Sequence, residues 1–289
     1  ASRLIDRLAT RPDVLRDGPG DPRVGVTGGS YGGGLSLLLA GYDRRVDAIV
    51  PVITWNDLGQ ALFPNNAFPA GPAGATDAPP GLPADTPARG AAGPDGGFKR
   101  GWAGVFFGAV GDLRRLDPAR PLTCGRFTAA VCRAYTESAM TGRPSAATTA
   151  LLARSSPASV AGRISAPTLL VQGEQDTLFG LDQADANARQ IAAAGTPVSV
   201  AWFAGGHDGG APDAGVQARI GDWFDQYLRG AAPAATDTGF SYQVRSTVRS
   251  RGETPPGRTV LAGTYPGLPG RPAAAPVLTD PVACLLYTS

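Results

Sequence analysis

The chain has 289 residues, of which 43% are hydrophobic and 17% charged, and its formal net charge is +2. That is enough apolar material for a buried core, in one large domain or two ordinary ones. The near-neutral charge and the lack of any basic run interleaved with aromatics argue against a nucleic-acid partner, and no stretch approaches the roughly 20 apolar residues of a membrane span.

Ser2 to Ala9 reads as a helix, followed by the turn residues Asp17-Gly18-Pro19-Gly20-Asp21-Pro22. A short strand from Arg23 to Thr27 runs into a glycine-rich turn and an apolar helix from about Gly33 to Gly41. Val46 to Ile53 is a β-branched run of the kind that forms a buried parallel strand. This alternation predicts an α/β fold, a parallel sheet covered by helices.

Between about Thr54 and Arg163 there is no good strand candidate. Ala67 through Gly97 is dominated by Pro, Gly and Ala and reads as low-complexity, whereas Phe127 to Thr141 and Ser145 to Leu152 read as helices. The region is too long for a plain loop, so a helical cap is expected over 56–163, inserted into a core made of 1–55 and 164–230. Sheet grammar resumes at Ala166 to Gly173, then a helix from Leu181 to Ala194 and a strand from Val198 to Phe203. A last helix, Val216 to Leu228, gathers Ile220, Trp223, Phe224, Tyr227 and Leu228 on one face, and Gly230 ends it.

Phe240 to Val244 and Arg258 to Ala262 read as short antiparallel strands, so a second, all-β domain is expected to begin over 237–280. The last six residues, Cys284 to Ser289, break the compositional style and are read as a non-native tail (284–289) on a fragment that lacks an initiator Met. Cys124 and Cys132, set on one continuous helix, would lie about 12 Å apart and could not bridge. Pro121 to Gly125 reads as a loop, however, which could fold back. A disulfide would imply a secreted or cell-envelope protein and two free thiols a cytoplasmic one; the sequence leaves both open.

The strongest chemical signal is Gly28-Gly29-Ser30-Tyr31-Gly32, a G-x-S-x-G motif between a strand and an apolar helix. A serine on such a sharp, strained turn needs small neighbours, here Gly28, Gly29 and Gly32, and the backbone N–H of Tyr31 would be an oxyanion donor. A phosphate-binding loop would instead require a G-x-x-x-x-G-K-[ST] run, which the sequence does not contain. Gly173-Glu174-Gln175-Asp176 follows a buried strand, where catalytic groups of parallel sheets sit. Asp176 is the favoured acid, with Glu174 and Asp182 as rivals. The chain holds a single histidine, His207, flanked by glycines after the strand ending at Phe203. The order Ser…Asp…His, each following a strand, makes His207 the expected base. One His and no Cys cluster leave too few ligands for a metal, and no cofactor is expected.

With those residues in place, the chain resembles the Xaa-Pro dipeptidyl-peptidase and cocaine-esterase family of α/β hydrolases. The resemblance rests on Gly28-Gly29-Ser30-Tyr31-Gly32-Gly33, Tyr42-Asp43-Arg44-Arg45-Val46 and Ile53-Thr54-Trp55-Asn56-Asp57-Leu58. It implies that the long insertion is the family's cap and the trailing strands the start of its jelly roll. It further implies that the early strands, and the second oxyanion donor, lie ahead of Ala1. Prolyl oligopeptidases share the elbow but would lack the long insertion.

The expected chemistry is acyl transfer on a small peptide or ester. A peptidase releasing Xaa-Pro dipeptides needs a carboxylate for the substrate's amino group, with Asp57 and Asp112 as candidates. An esterase or amidase needs none, and Trp55, Trp102, Phe106 and Phe107 could line its acyl pocket. A catalytically silent binding protein on this scaffold is the third reading, and the intact Ser…Asp…His order argues against it.

Overall fold

The computed structural model describes residues 1–64, 97–108, 127–234, 238–244 and 258–268. The low-complexity stretch beyond 64, Cys124, Asp112 and the tail at 284–289 lie outside the described residues. Helix α1 (Ser2–Ala9) opens the chain, and the turn expected before the first core strand is a small hairpin, β1 (Arg16–Gly18) with β2 (Asp21–Pro22). Strand β3 (Val24–Gly29) leads through Ser30 into α2 (Tyr31–Tyr42), and β4 (Val46–Val52) follows.

The inserted region is helical where described: α3 (Leu58–Leu62), α4 (Arg100–Gly108), α5 (Ala129–Thr141) and α6 (Ala146–Arg154). Strand β5 (Thr168–Gly173), α7 (Leu181–Ala193), β6 (Val198–Phe203) and α8 (Ala214–Arg229) complete the alternating part. Two last strands are β7 (Phe240–Val244) and β8 (Arg258–Ala262).

The sheet runs β3-β4-β5-β6-β7-β8, parallel from β3 through β7, with β8 antiparallel. Its central strands are apolar along their length because both faces are covered. On one face Ile5, Leu37, Ala40 and Ile191, from α1, α2 and α7, pack on Val24, Val46 and Ile49. On the other, Val216 and Trp223 of α8 pack on Ala48, Val50, Leu169 and Val171.

The strands expected to begin a separate β domain over 237–280 are present and antiparallel to each other, but they extend the core sheet. Phe240 and Ser241 of β7 lie in register with Val200 and Ala201 of β6. Phe240, Tyr265, Leu170 and Val200 share one apolar cluster. Burying β7 along β6 satisfies backbone groups that the edge of β6 would otherwise leave unpaired.

Candidate active site

Ser30 sits where β3 ends and α2 begins, with φ of 54° and ψ of −115°, a conformation that L-residues adopt rarely and at a cost. The turn is held from the neighbouring strand: Ser30 N–H donates to Val52 O at 2.9 Å, and Thr54 Oγ1 donates to Ser30 O at 2.9 Å. Ile53, between those two anchors, is also forced to a positive φ of 41°. The close approach of helix and strand explains the glycines. A Cβ on Gly28 would lie 2.8 Å from Gly32 backbone, and one on Gly33 would lie 2.8 Å from Thr54 Cβ. Gly29 and Gly32 have no atom within 4 Å of such a Cβ, so the steric demand falls on positions 28 and 33 rather than on all three motif glycines. The N–H of Tyr31 begins α2 and has no helical carbonyl behind it to bond, which leaves it suited to an anionic oxygen; the Tyr31 ring is exposed.

Asp176 and His207 come from the loops beyond β5 and β6, which touch. A Cβ on Gly206 would lie 2.6 Å from Asp176 Cα, and Gly206 adopts φ of +145°, so the histidine loop crosses the acid turn where only glycine fits. His207 Nδ1 lies 2.6 Å from Asp176 Oδ2, and His207 Nε2 lies 2.8 Å from Ser30 Oγ. Asp176 Oδ2 also accepts from His207 N–H at 3.2 Å, while Oδ1 accepts from Leu178 and Phe179 N–H at 2.9 and 2.8 Å. The Asp176 side chain is fully buried and that of His207 is 12% exposed. An ionised Asp176 fixes the proton on Nδ1 and turns the Nε2 lone pair to Ser30. The rings of Phe179 and Trp102 stand edge-on to His207, with centroids at 5.3 and 5.8 Å.

The rival acids are engaged elsewhere. Glu174 accepts from Gln243 N–H of β7, and Asp182 accepts from Gln183 Nε2 in the first turn of α7, where burial raises its carboxyl. The two residues expected to bind substrate have partners of their own within the chain. Trp55 is buried against Phe179 and gives its indole N–H to Ser155 O at 2.9 Å, so it packs behind the site. Asp57 is the N-cap of α3 and accepts from Gln60 N–H at 3.1 Å. Of the other aromatics, Trp102 reaches the site, whereas Phe107 stacks on Tyr135 at 3.9 Å, within the inserted region. Cys132 is disulfide-bonded, with its partner outside the described residues.

A cleft of about 560 Å³ reaches His207 and the elbow backbone at Gly28 and Gly29, with Ile53, Pro212 and Ile220 among its walls. Among the described residues no group of three or more His, Cys, Asp or Glu could hold a metal, and no helix is long and apolar enough to cross a membrane. Sequence reasoning missed three residues that hold the site: Thr54, Lys99 and Gln243. Lys99 stands out by counting, as His207 does, because it is the chain's one lysine.

A parallel sheet with a strained serine at a strand-to-helix turn, facing a histidine and an aspartate from later strand ends, defines an α/β hydrolase. Residues 20–195 match the X-Pro dipeptidyl-peptidase (S15 family), and since they make up more than half of the chain, the protein belongs to that family. Among solved structures, a CocE/NonD family hydrolase from Staphylococcus aureus is similar over 91% of this chain and 37% of its own, at 14% identity and a TM-score of 0.53. At that identity the likeness is one of fold, and the chain spans 37% of that hydrolase's length. An acetyl xylan esterase from Paenibacillus sp. R4 is similar over 78% of this chain and 50% of its own, at 17% identity and a TM-score of 0.45. An acylaminoacyl peptidase from Pyrococcus horikoshii is similar over 78% and 26%, at 14% identity and a TM-score of 0.41. No curated protein sequence matches the chain.

Proposed function

We propose that Ser30, His207 and Asp176 carry out acyl transfer, and that the substrate is the amide bond following an Xaa-Pro dipeptide. The observation that carries this reading is the continuous pair of contacts, Ser30 Oγ to His207 Nε2 at 2.8 Å and His207 Nδ1 to Asp176 at 2.6 Å. Nε2 takes the Ser30 proton as Oγ attacks the carbonyl carbon, and the Tyr31 N–H receives the developing oxyanion. The imidazolium, held by Asp176, then protonates the leaving amine. Water repeats the sequence to release the acid and restore Ser30. Family membership favours the dipeptide substrate.

One observation favours a second reading, an esterase or amidase of the same architecture. Asp57, a candidate anchor for a substrate's amino group, is already engaged as the cap of α3.

The test compares an Ala-Pro anilide with a short-chain nitrophenyl ester on the wild-type chain and on Ser30→Ala. The expected result is hydrolysis that Ser30→Ala lowers by at least ~10⁴-fold, with the anilide preferred in kcat/KM. Ester turnover alone would select the second reading. Activity that survives in Ser30→Ala would overturn both.

A further inference from the structure

We propose that Lys99 is a positioning residue for this reaction: its ammonium fastens the turn that carries Asp176 to the head of α4. The proposal rests on the acyl-transfer reading above. The backbone at Lys99 is itself anchored, since its N–H donates to Leu62 O at 2.8 Å and the neighbouring Phe98 stacks on Phe63 at 5.0 Å. From there Lys99 Nζ donates to Thr177 O and to Leu178 O, both at 2.7 Å.

Those carbonyls belong to the same turn whose N–H groups, at Leu178 and Phe179, hold Asp176 Oδ1. With its carbonyls tied to Lys99, the turn cannot rotate without breaking a charge-assisted hydrogen bond. The same turn is reached from α4 by Trp102, whose indole N–H donates to Thr177 Oγ1 at 3.1 Å. Thr177 in turn donates to Asp208, the residue after His207, from Oγ1 at 2.5 Å and from N–H at 3.3 Å. Lysine suits this place because a compact ammonium can serve two successive carbonyls, whereas a planar guanidinium matches a carboxylate. The chain uses arginine for every other long cation.

His207 faces Asp176 from the acid turn and Asp208 from its own loop, together with the uncharged Ser30, Phe179 and Trp102. Lys99 is half-buried and lies in the field of Asp182, Asp176 and Asp208; burial lowers its own pKa and those carboxylates oppose that. Glu174, also nearby in sequence, is bonded to Gln243.

The experiment measures ester hydrolysis for the wild-type chain, Lys99→Met, Lys99→Arg and Ser30→Ala. Thermal unfolding and labelling by a serine-directed fluorophosphonate are followed in parallel. In Lys99→Met, kcat should fall about 10- to 100-fold with KM nearly unchanged. Lys99→Arg should recover part of kcat, since it keeps the charge but not the compact ammonium. Wild-type kcat in folded Lys99→Met would overturn the proposal, and so would a KM that rises while kcat holds. If Lys99→Met is recovered unfolded, acetylation of the folded wild type, checked at Lys99 by mass spectrometry, replaces it, and an unchanged kcat there is equally fatal. The acyl-transfer reading fails separately, by turnover or labelling that does not depend on Ser30.

Discussion

Replacing Asp176 tests the site and the stability of its turn at once, because two substitutions separate them. Asp176→Asn keeps the shape but makes one oxygen an NH2. Leu178 and Phe179 N–H both point at the Oδ1 position, at 2.9 and 2.8 Å, so the amide oxygen belongs there. The NH2 is then left facing His207 Nδ1, which must accept rather than donate. The ring proton moves to Nε2, which can no longer take the proton of Ser30, and kcat should fall by about 10⁴. Asp176→Ala removes the acceptor of three backbone N–H groups, those of Leu178, Phe179 and His207, at a position whose side chain is fully buried. Each unsatisfied donor costs about 1–3 kcal/mol, so the loss is at least ~3 kcal/mol against a total stability of about 5–15 kcal/mol. Ester hydrolysis and urea unfolding measured on both variants should therefore agree on activity and differ on stability. The Asn protein should be folded and nearly inactive, the Ala protein inactive and strongly destabilised. Asp176→Asn that keeps more than about a tenth of the activity would refute the tautomer argument. Equal stability of the two variants would refute the assignment of the turn's hydrogen bonds.

Thr54→Val preserves shape but deletes the hydrogen bond to Ser30 O; about 1 kcal/mol of support for the elbow is lost, and the rate of fluorophosphonate labelling should drop about fivefold, an unchanged rate showing that the strained turn holds itself. Gln243→Leu should loosen the histidine loop at both ends, because the Gln243 side chain accepts from Ala204 N–H at 2.9 Å and donates to Asp213 Oδ2 at 2.5 Å. The expected result is faster hydrogen exchange across 204–213 and a kcat lowered about tenfold, and exchange at the wild-type rate would count against it. On the far side of α2, the hydrogen bond from Arg45 is the main reason that the Asp43 carboxyl is lowered from 3.8 to about 2. A carboxyl lowered on folding stabilises the folded state above its unfolded pKa, and the benefit disappears as pH falls through the folded value. Arg45→Met should therefore lower the Tm at neutral pH, with the gap to wild type closing between about pH 4 and pH 2; a gap that is the same at pH 2 would refute the pairing.

The elements of the core were legible because their cause is local. Val46 to Ile53 reads as a strand from its β-branched run and forms over Val46–Val52, and Val198 to Phe203 forms as read. Ser30, Asp176 and His207 could be singled out because each follows a strand, and the parallel sheet brings strand ends to one edge. What was not legible depends on what stands opposite a residue. A buried Trp55 and a pocket-lining Trp55 are the same letter, and only the contact with Phe179 and the bond to Ser155 O distinguish them. Asp57 is different, since its spacing to Gln60 is that of a helix cap and could have been read as one. The joining of β7 to β6 turns on a register between segments about 40 residues apart, which no local pattern records.

The two regions that sequence treats as additions to the core are the ones that fix its loops. Asp176 is held by its own turn, but that turn is tied through Thr177 and Leu178 to Lys99, at the head of α4 in the inserted region. The loop of His207 starts at Ala204 and ends at Asp213, and a single side chain on β7, Gln243, bonds to both. Gln243 also reaches the acid loop, through its N–H to Glu174. Only the serine is positioned from within the alternating core, by Val52 and Thr54. A parallel sheet can bring three strand ends together, but loops beyond those ends have no ladder to hold them, so their precision has to come from elements packed across them. Here the insertion steadies the acid and β7 steadies the base, so the histidine–aspartate contact is the point at which both regions act on the chemistry.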